Sequence, residues 1–92
     1  MAHTVEEKKE LLVRLNRIQG QLQGIKEAIE EEKECSQVLQ QIAACRGAMG
    51  GLLAEIIEGE IRFHVLPRNT KADSREMKAA EGLVAILHRY LK

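Results

Sequence analysis

The sequence predicts an all-α protein: a long antiparallel helix hairpin followed by a short third helix. Of the 92 residues, 45% are apolar, yet there is one Phe, one Tyr and no Trp, so the apolar side chains are almost entirely aliphatic. A single proline, Pro67, interrupts a chain rich in helix-forming residues. Apolar residues recur at alternating steps of three and four along three segments, which is the helical period. A chain of this length corresponds to one domain, and we expect residues 1–92 to form a single unit.

The first helix is predicted to run from Val5 to Glu31. Thr4 and Glu7 have the spacing of a capping box at its start. The coiled-coil-like stripe that follows is formed by Leu11, Leu15, Ile18, Leu22, Ile25 and Ile29.

The second helix carries two neighbouring apolar stripes, so it is expected to pack against more than one neighbour. It should end near His64 or Val65, because Pro67 cannot continue a helix. One stripe is formed by Cys35, Val38, Ile42, Cys45, Met49, Leu52 and Ile56, and the other by Leu39, Ala43, Leu53, Ile57 and Ile61.

The third helix follows a polar, loop-like segment from Arg68 to Asp73. It can be capped by Asp73 together with Glu76, or by Ser74 alone. Its apolar stripe is Met77, Ala80, Val84, Leu87 and Leu91. A chain this small has a marginal core of its own, so these wide apolar faces predict association into dimers or tetramers.

The two cysteines and the absence of a signal peptide or a membrane-spanning run predict a cytosolic protein with reduced thiols. Cys45 lies within an apolar stripe and is predicted to be a core residue. His88 is predicted to lie on the surface. The sequence has no Cys/His nucleophile pair and no phosphate-binding loop, and we therefore expect no enzymatic activity.

The net charge of zero hides a gradient along the first helix. From Glu27 to Glu34 there are five Glu and one Lys. The preceding stretch is basic, and such a patch could contact a phosphate backbone if symmetry repeated it. Taken alone, however, the charge pattern favours an ordinary solvated helix surface. The basic residues are Lys8, Lys9, Arg14, Arg17 and Lys26.

The candidate ligands are His3, Cys35, Glu60, His64 and the N-terminal amine. Thiolate, imidazole and amine donors suit Ni(II), Co(II) or Zn(II). Cys35 and His64 lie about 43 Å apart along the second helix, so one chain cannot bring them together. If this helix pairs antiparallel with its copy in a partner, Cys35 of one chain meets Glu60 and His64 of the other. A ligand at such an interface could change the quaternary arrangement.

Residues 39–44, Leu-Gln-Gln-Ile-Ala-Ala, together with Arg46-Gly47-Ala48, resemble the central signature of the CsoR/RcnR repressor family. Residues 17–21, Arg-Ile-Gln-Gly-Gln, Cys35 and the closing Tyr90-Leu91-Lys92 extend the resemblance over nearly the whole chain. It implies a homotetrameric (dimer of dimers), helical transcriptional repressor that binds double-stranded operator DNA without a helix-turn-helix. It also implies an effector that weakens DNA binding.

The resemblance changes the interpretation of the basic patch. Arg14 and Arg17 match positions at which the family carries DNA-contacting basic residues, and Lys8, Lys9 and Arg46 are further candidates. His3, Cys35 and His64 match ligand positions of the nickel/cobalt branch. Glu60 replaces the histidine usual at the remaining position. The copper branch has a second thiolate where this chain has His64, which disfavours Cu(I).

Formaldehyde is the alternative effector that the resemblance implies. Sensors of the FrmR-like branch use Cys35 and the N-terminal amine, which would be that of Ala2 if the initiator Met is removed. That branch tends to carry His where this chain has Glu60, and Glu where it has His64. Because the two residue types are exchanged here, we favour a metal, with Ni(II) or Co(II) ahead of Zn(II).

Overall fold

The computed structural model describes residues 3–91, apart from the side chains of His3 and Glu6. Over this range the chain forms helices and loops with no strand, which confirms the predicted all-α fold. Helices α2 and α3 form the predicted hairpin, and α4 packs on the C-terminal part of α3. The elements are α1 (His3–Glu6), α2 (Lys8–Glu30), α3 (Cys35–Glu60), a π-helical turn (Ile61–Val65) that continues α3, and α4 (Arg75–Leu91).

The first predicted helix is divided in two at Glu7. This residue has a φ of −98° and a ψ of 10°, which is outside the α-helical range, and α2 begins after it. Its side chain makes no capping hydrogen bond, and its carbonyl accepts from the Leu11 N–H at 3.0 Å. Thr4 lies inside α1 and does not precede the helix, so the expectation of one continuous helix from Val5 is wrong.

The turn between α2 and α3 is a Schellman motif. The Lys33 N–H reaches back to the Ala28 carbonyl at 2.9 Å, and the Glu32 N–H reaches the Ile29 carbonyl at 3.1 Å. Glu32 occupies the left-handed position that glycine usually takes, with a φ of 55°. This turn reverses the chain and sets Cys35 at the start of α3.

The second predicted helix ends at Val65, as the sequence predicts. Leu66 adopts an extended conformation because it precedes Pro67, which disfavours helical backbone. The Leu66 N–H bonds to the Ile61 carbonyl at 2.9 Å and closes the π-helical turn. His64 therefore sits in a wider turn than an α-helix would provide.

Ser74 caps α4, which confirms one of the two predicted caps. Its Oγ accepts a hydrogen bond from the Met77 N–H at 3.1 Å, and its carbonyl accepts from the Lys78 N–H. Behind this cap, α4 contributes Ala80 and Val84 to a small core with Ile61. The half-buried side chains around that core are Ile57, Leu66 and Leu87.

Much of the apolar surface of the protomer stays exposed. Cys45 is buried, as predicted, but no large side chain among the described residues is completely buried. The molecule measures 54 × 25 × 13 Å, about one helix thick. Such exposure is typical of surfaces that other chains cover, and association of copies stays a prediction. On α3 the exposed side chains include Leu39, Ile42, Met49 and Leu53.

Candidate effector and nucleic-acid sites

The effector-site candidates lie at the two ends of one long helical rod. Cys35 is the first residue of α3 and has an exposed free thiol. Glu60 is the last residue of α3, and His64 follows in the π-helical turn, both with exposed side chains. At a rise of 1.5 Å per residue, the rod separates Cys35 from His64 by roughly 40 Å. The structure thus brings Glu60 and His64 to one end and keeps Cys35 away from both within a chain.

Two further candidates cannot be placed. Ala2 lies outside the described residues, and so does the side chain of His3, although the backbone of His3 begins α1. Their roles as ligand or reacting amine therefore rest on the sequence alone.

The basic candidates lie mainly on α2. Arg14 and Arg17 line one side of an open hollow of about 400 Å³ whose other side is Gly47, Ala48 and Gly51 of α3. The neighbouring stretch of α2 adds Lys9, and Lys8 stands at the start of the helix. Arg46 lies on α3 beside Tyr90 and Leu91 of α4, in a different hollow. The candidate DNA-contacting residues thus form an α2 group with Arg46 apart from it.

Arg14 is already paired within the protomer. Its Nη2 lies 3.4 Å from Oε1 of Glu55 on α3, and the two side chains are 42% and 30% exposed. A partly exposed pair of this length contributes at most about 1 kcal/mol, so a phosphate can compete for the guanidinium. Arg17 is exposed, next to Arg14 on the same helix.

A polar cluster that sequence analysis does not predict joins α3 to α4. His88 Nε2 lies 2.7 Å from Oε1 of Glu58, and the Arg62 Nε–H donates to Oε2 of the same carboxylate at 3.0 Å. His88, predicted to lie on the surface, is partly buried: its side chain is 27% exposed and is bonded to Glu58. Glu55, one turn earlier on α3, presents a carboxylate oxygen to the same group.

The charges in this cluster lower the pKa of Glu58 below its ordinary value. The hydrogen bond from His88 is the main cause, and the hydrogen bond and charge of Arg62 add to it, while partial burial opposes them. A signal for the cluster exists in the sequence. Glu55 and Glu58, spaced i, i+3, place two carboxylates on one face of α3 next to the apolar residues Ile56 and Ile57, which suggests a specific polar neighbour.

Comparison with known proteins decides the family. The profile described as "Metal-sensitive transcriptional repressor" matches residues 7–89. The chain belongs to this family. The metal-sensitive repressors similar to it include the transcriptional repressor RcnR of Salmonella paratyphi B, 38% identical over the full length of both chains. An uncharacterized protein in the bioA 5′ region of Serratia marcescens is 44% identical, again over the full length of both.

A solved structure has the same fold. It is a Glu-to-His variant of the formaldehyde-responsive regulator FrmR from Salmonella enterica serovar Typhimurium, 34% identical, with a TM-score of 0.65. The match covers 95% of this chain and 96% of that one. The metal-sensitive repressors are regulators of transcription, and they are not enzymes. No helix within residues 3–91 is long and apolar enough to cross a membrane.

Proposed function

We propose that this chain is a cytoplasmic, homotetrameric transcriptional repressor that leaves its operator DNA when Ni(II) or Co(II) binds between subunits. Zn(II) is the next candidate ion. The observation that supports this proposal best is the placement of Cys35 and His64 at opposite ends of one rod with an exposed apolar face. Such a rod is completed by an antiparallel copy, which brings the two ends together.

The position of the crossing point supports this pairing. If Cys35 of one chain lies opposite His64 of the other, the two-fold axis crosses α3 midway between residues 49 and 50. Gly50 lies at that midpoint, whereas Gly47 and Gly51 face α2, and a residue without a side chain lets two helices approach closely. Ile42 and Leu53 are exposed on either side of it and would be covered by the partner.

The donors fit a borderline divalent ion and not a soft monovalent one. Cys35 supplies a thiolate, His64 an imidazole, and Glu60 a carboxylate, while His3 would add a second imidazole. When bound, the ion supplies strong bonds that connect donors of two chains. In our proposal Cys35 then holds the start of one α3 against the end of the other, and this fixes a quaternary arrangement with poor complementarity to DNA.

The DNA contacts are assigned to the α2 group. Arg14 and Arg17, with Lys8 and Lys9, place positive charge along one helix, and Arg46 adds charge from α3. Arg14→Ala should weaken operator binding and reduce the slope of log affinity against log salt by about one for each subunit whose Arg14 contacts a phosphate. Arg75→Ala, an exposed charge on α4, serves as the matched control and should change neither. An unchanged salt slope in Arg14→Ala would remove Arg14 from the interface.

A formaldehyde-sensing repressor is the second candidate, supported by the similarity to a formaldehyde-responsive regulator and by the exposed Cys35 thiol. Formaldehyde would condense with the Cys35 thiol and the amine of Ala2. An S–CH₂–N bridge forms and one water molecule leaves. This reaction needs a free N-terminal amine and does not need His64.

One titration separates the two candidates. Fluorescence anisotropy of the reduced protein on promoter DNA is followed as Ni(II), Co(II), Zn(II), Cu(I) or formaldehyde is added. We expect release by Ni(II) or Co(II), lost in Cys35→Ala and in His64→Ala but kept in Cys45→Ala, the buried-thiol control. Release by formaldehyde alone, dependent on Cys35 and indifferent to His64, would replace the metal proposal with the second candidate.

A further inference from the structure

We propose that Glu55, Glu58 and His88 form a second cation site, separate from Cys35, for a divalent ion such as Zn(II) or Co(II). One donor atom from each of these three side chains lies within 4.8 Å of the other two. The site joins two helices, because the carboxylates come from α3 and the imidazole from α4.

The three side chains are held in place by the packing around them. They are 30%, 26% and 27% exposed, so they lie in a shallow cleft and do not extend freely into solvent. The small core of Ile61, Ala80 and Val84 fixes α4 against the end of α3, next to the cluster. Binding a cation would therefore cost little ordering of the backbone.

The distances are close to those a metal requires. Donor atoms bound tetrahedrally at 2.0–2.2 Å lie about 3.4 Å from one another. His88 Nε2 and Glu58 Oε1 are 2.7 Å apart, so they would separate slightly while Glu55 moves inward. The proton that Nε2 shares with the carboxylate has to leave this nitrogen, and in the neutral ring it resides on Nδ1. Two carboxylate oxygens and one imidazole suit Zn(II), Co(II) or Ni(II), with water in the remaining positions.

The charge balance shows what such a cation would displace. Two carboxylates are offset at present by two guanidiniums, Arg14 on Glu55 and Arg62 on Glu58. A divalent ion supplies the same charge at a shorter distance, so it competes with both arginines. The Arg14 pair, at 3.4 Å, is the longer of the two and is expected to yield first.

This competition has a consequence for DNA binding, which rests on the function proposed above. Freeing Arg14 from Glu55 and adding positive charge beside α2 both favour contact with phosphates. A cation at this site should therefore strengthen operator binding, which is the opposite of the effect proposed for the Cys35 site.

The decisive experiment removes the Cys35-site donors first. In His3→Ala/Cys35→Ala/His64→Ala, Co(II) and Zn(II) binding is measured by equilibrium dialysis, with the Co(II) absorption spectrum as the second readout. We expect one ion per protomer and visible ligand-field bands without sulfur-to-cobalt charge transfer. Adding His88→Ala should weaken binding at least tenfold, whereas adding Glu81→Gln, an exposed α4 carboxylate, should leave it unchanged.

Two results would overturn the proposal: no retained ion in the triple variant, or retention that persists after His88→Ala. Because the triple variant lacks the donors on which metal-dependent release depends, either result leaves the proposed function untouched. If His88→Ala fails to fold by circular dichroism, Glu55→Gln replaces it, since among the described residues the Glu55 carboxylate is paired only with Arg14, at a long 3.4 Å. Unchanged Co(II) affinity in folded Glu55→Gln would equally overturn the three-donor site.

Discussion

The hairpin and the region around α4 are built differently. Along the hairpin, apolar side chains such as Leu22, Leu39 and Met49 remain about half exposed. Around α4, Ile61, Ala80 and Val84 are buried together, and Glu58 and His88 form a hydrogen bond at their edge. The first region exposes a long row of aliphatic side chains. The second also leaves Leu83 and Ile86 about half exposed, but it has a buried apolar cluster with a hydrogen-bonded polar pair beside it.

This difference indicates where one chain suffices and where copies are needed. The α4 region resembles a small folded domain, with a core, a helix cap and paired charges. The hairpin resembles half of an interface, because its apolar face has no cover in the protomer. Substitutions in the α4 region should therefore change the free energy of unfolding of one chain, whereas substitutions on the hairpin face should change the association of copies.

The largest effect is expected at the core near α4. Ile61→Ala should lower the free energy of unfolding by about 3 kcal/mol, because it leaves a cavity between the π-helical turn and α4. Ile86→Ala, on α4 but 51% exposed, should cost under about 1 kcal/mol. Urea denaturation at one fixed protein concentration measures both. Equal losses would mean that burial in the core of Ile61, Ala80 and Val84 contributes nothing beyond what an exposed α4 side chain contributes.

A substitution on the exposed apolar face of the hairpin should weaken self-association without changing the fold of the chain. Ile42 is 45% exposed, and Ile42→Ser should weaken self-association by about 2 kcal/mol, roughly 30-fold in the dissociation constant. Helix content by circular dichroism should be preserved. Sedimentation velocity over a concentration series provides the measurement, with exposed Gln40→Ser as the control for helix propensity. A variant that associates like the unmodified chain would exclude Ile42 from any interface.

The cap of α4 should contribute about 1 kcal/mol. Ser74→Ala removes the acceptor for the Met77 N–H and should lower the melting temperature of the protein. Ser36→Ala, within the first turn of α3 and not at its cap, is the matched control and should have a smaller effect. Thermal denaturation compares the two, and identical shifts would argue against the cap.

The turn of the hairpin should tolerate a stabilising change. Glu32→Gly should raise the free energy of unfolding by roughly 0.5–1 kcal/mol, because glycine adopts the left-handed conformation without strain. Glu31→Gly should lower it, since Glu31 has an ordinary φ of −87° and glycine adds only flexibility there. Chemical denaturation of the two variants should therefore give shifts of opposite sign.

The smallest effect concerns pH. The pKa of Glu58 is lowered from 4.5 in the folded chain, so its ionised form stabilises the fold above that pH. This contribution is lost as the pH falls through the lowered pKa. Glu58→Gln lacks the ionised carboxylate and therefore this contribution. Between pH 6 and pH 3 its free energy of unfolding should fall by about 0.5 kcal/mol less than that of the unmodified chain. Glu81→Gln serves as the control, and parallel pH profiles for all three proteins would contradict the assignment.

Local signals in the sequence predicted most of the secondary structure. Pro67 predicted where the rod ends, Ser74 predicted the start of α4, and the apolar stripe predicted burial of Cys45. The break at Glu7 was not predictable from periodicity, because the apolar stripe begins only at Leu11 and cannot report on the turn before it.

The candidate sites also differ in how far the sequence predicts them. Cys35, Glu60 and His64 stand out in the sequence by residue type, and helix rise alone shows that Cys35 and His64 cannot meet within a chain. The cluster of Glu58 and His88 did not stand out, because the two residues are thirty positions apart and meet only through the packing of α4 on α3. The spacing of Glu55 and Glu58 suggests a polar neighbour, but the pattern along α3 does not reveal which residue of another helix supplies it.

The 13 Å thickness of the molecule has a consequence for amide hydrogen exchange. In a slab about one helix thick, every backbone amide lies close to solvent on at least one side, and small openings suffice to expose it. Slow exchange along α2 and α3 would then indicate that another molecule covers these helices, more than that their amides are buried within the protomer. A protection map of this repressor, recorded free, on DNA and with effector, would outline each molecule that touches it.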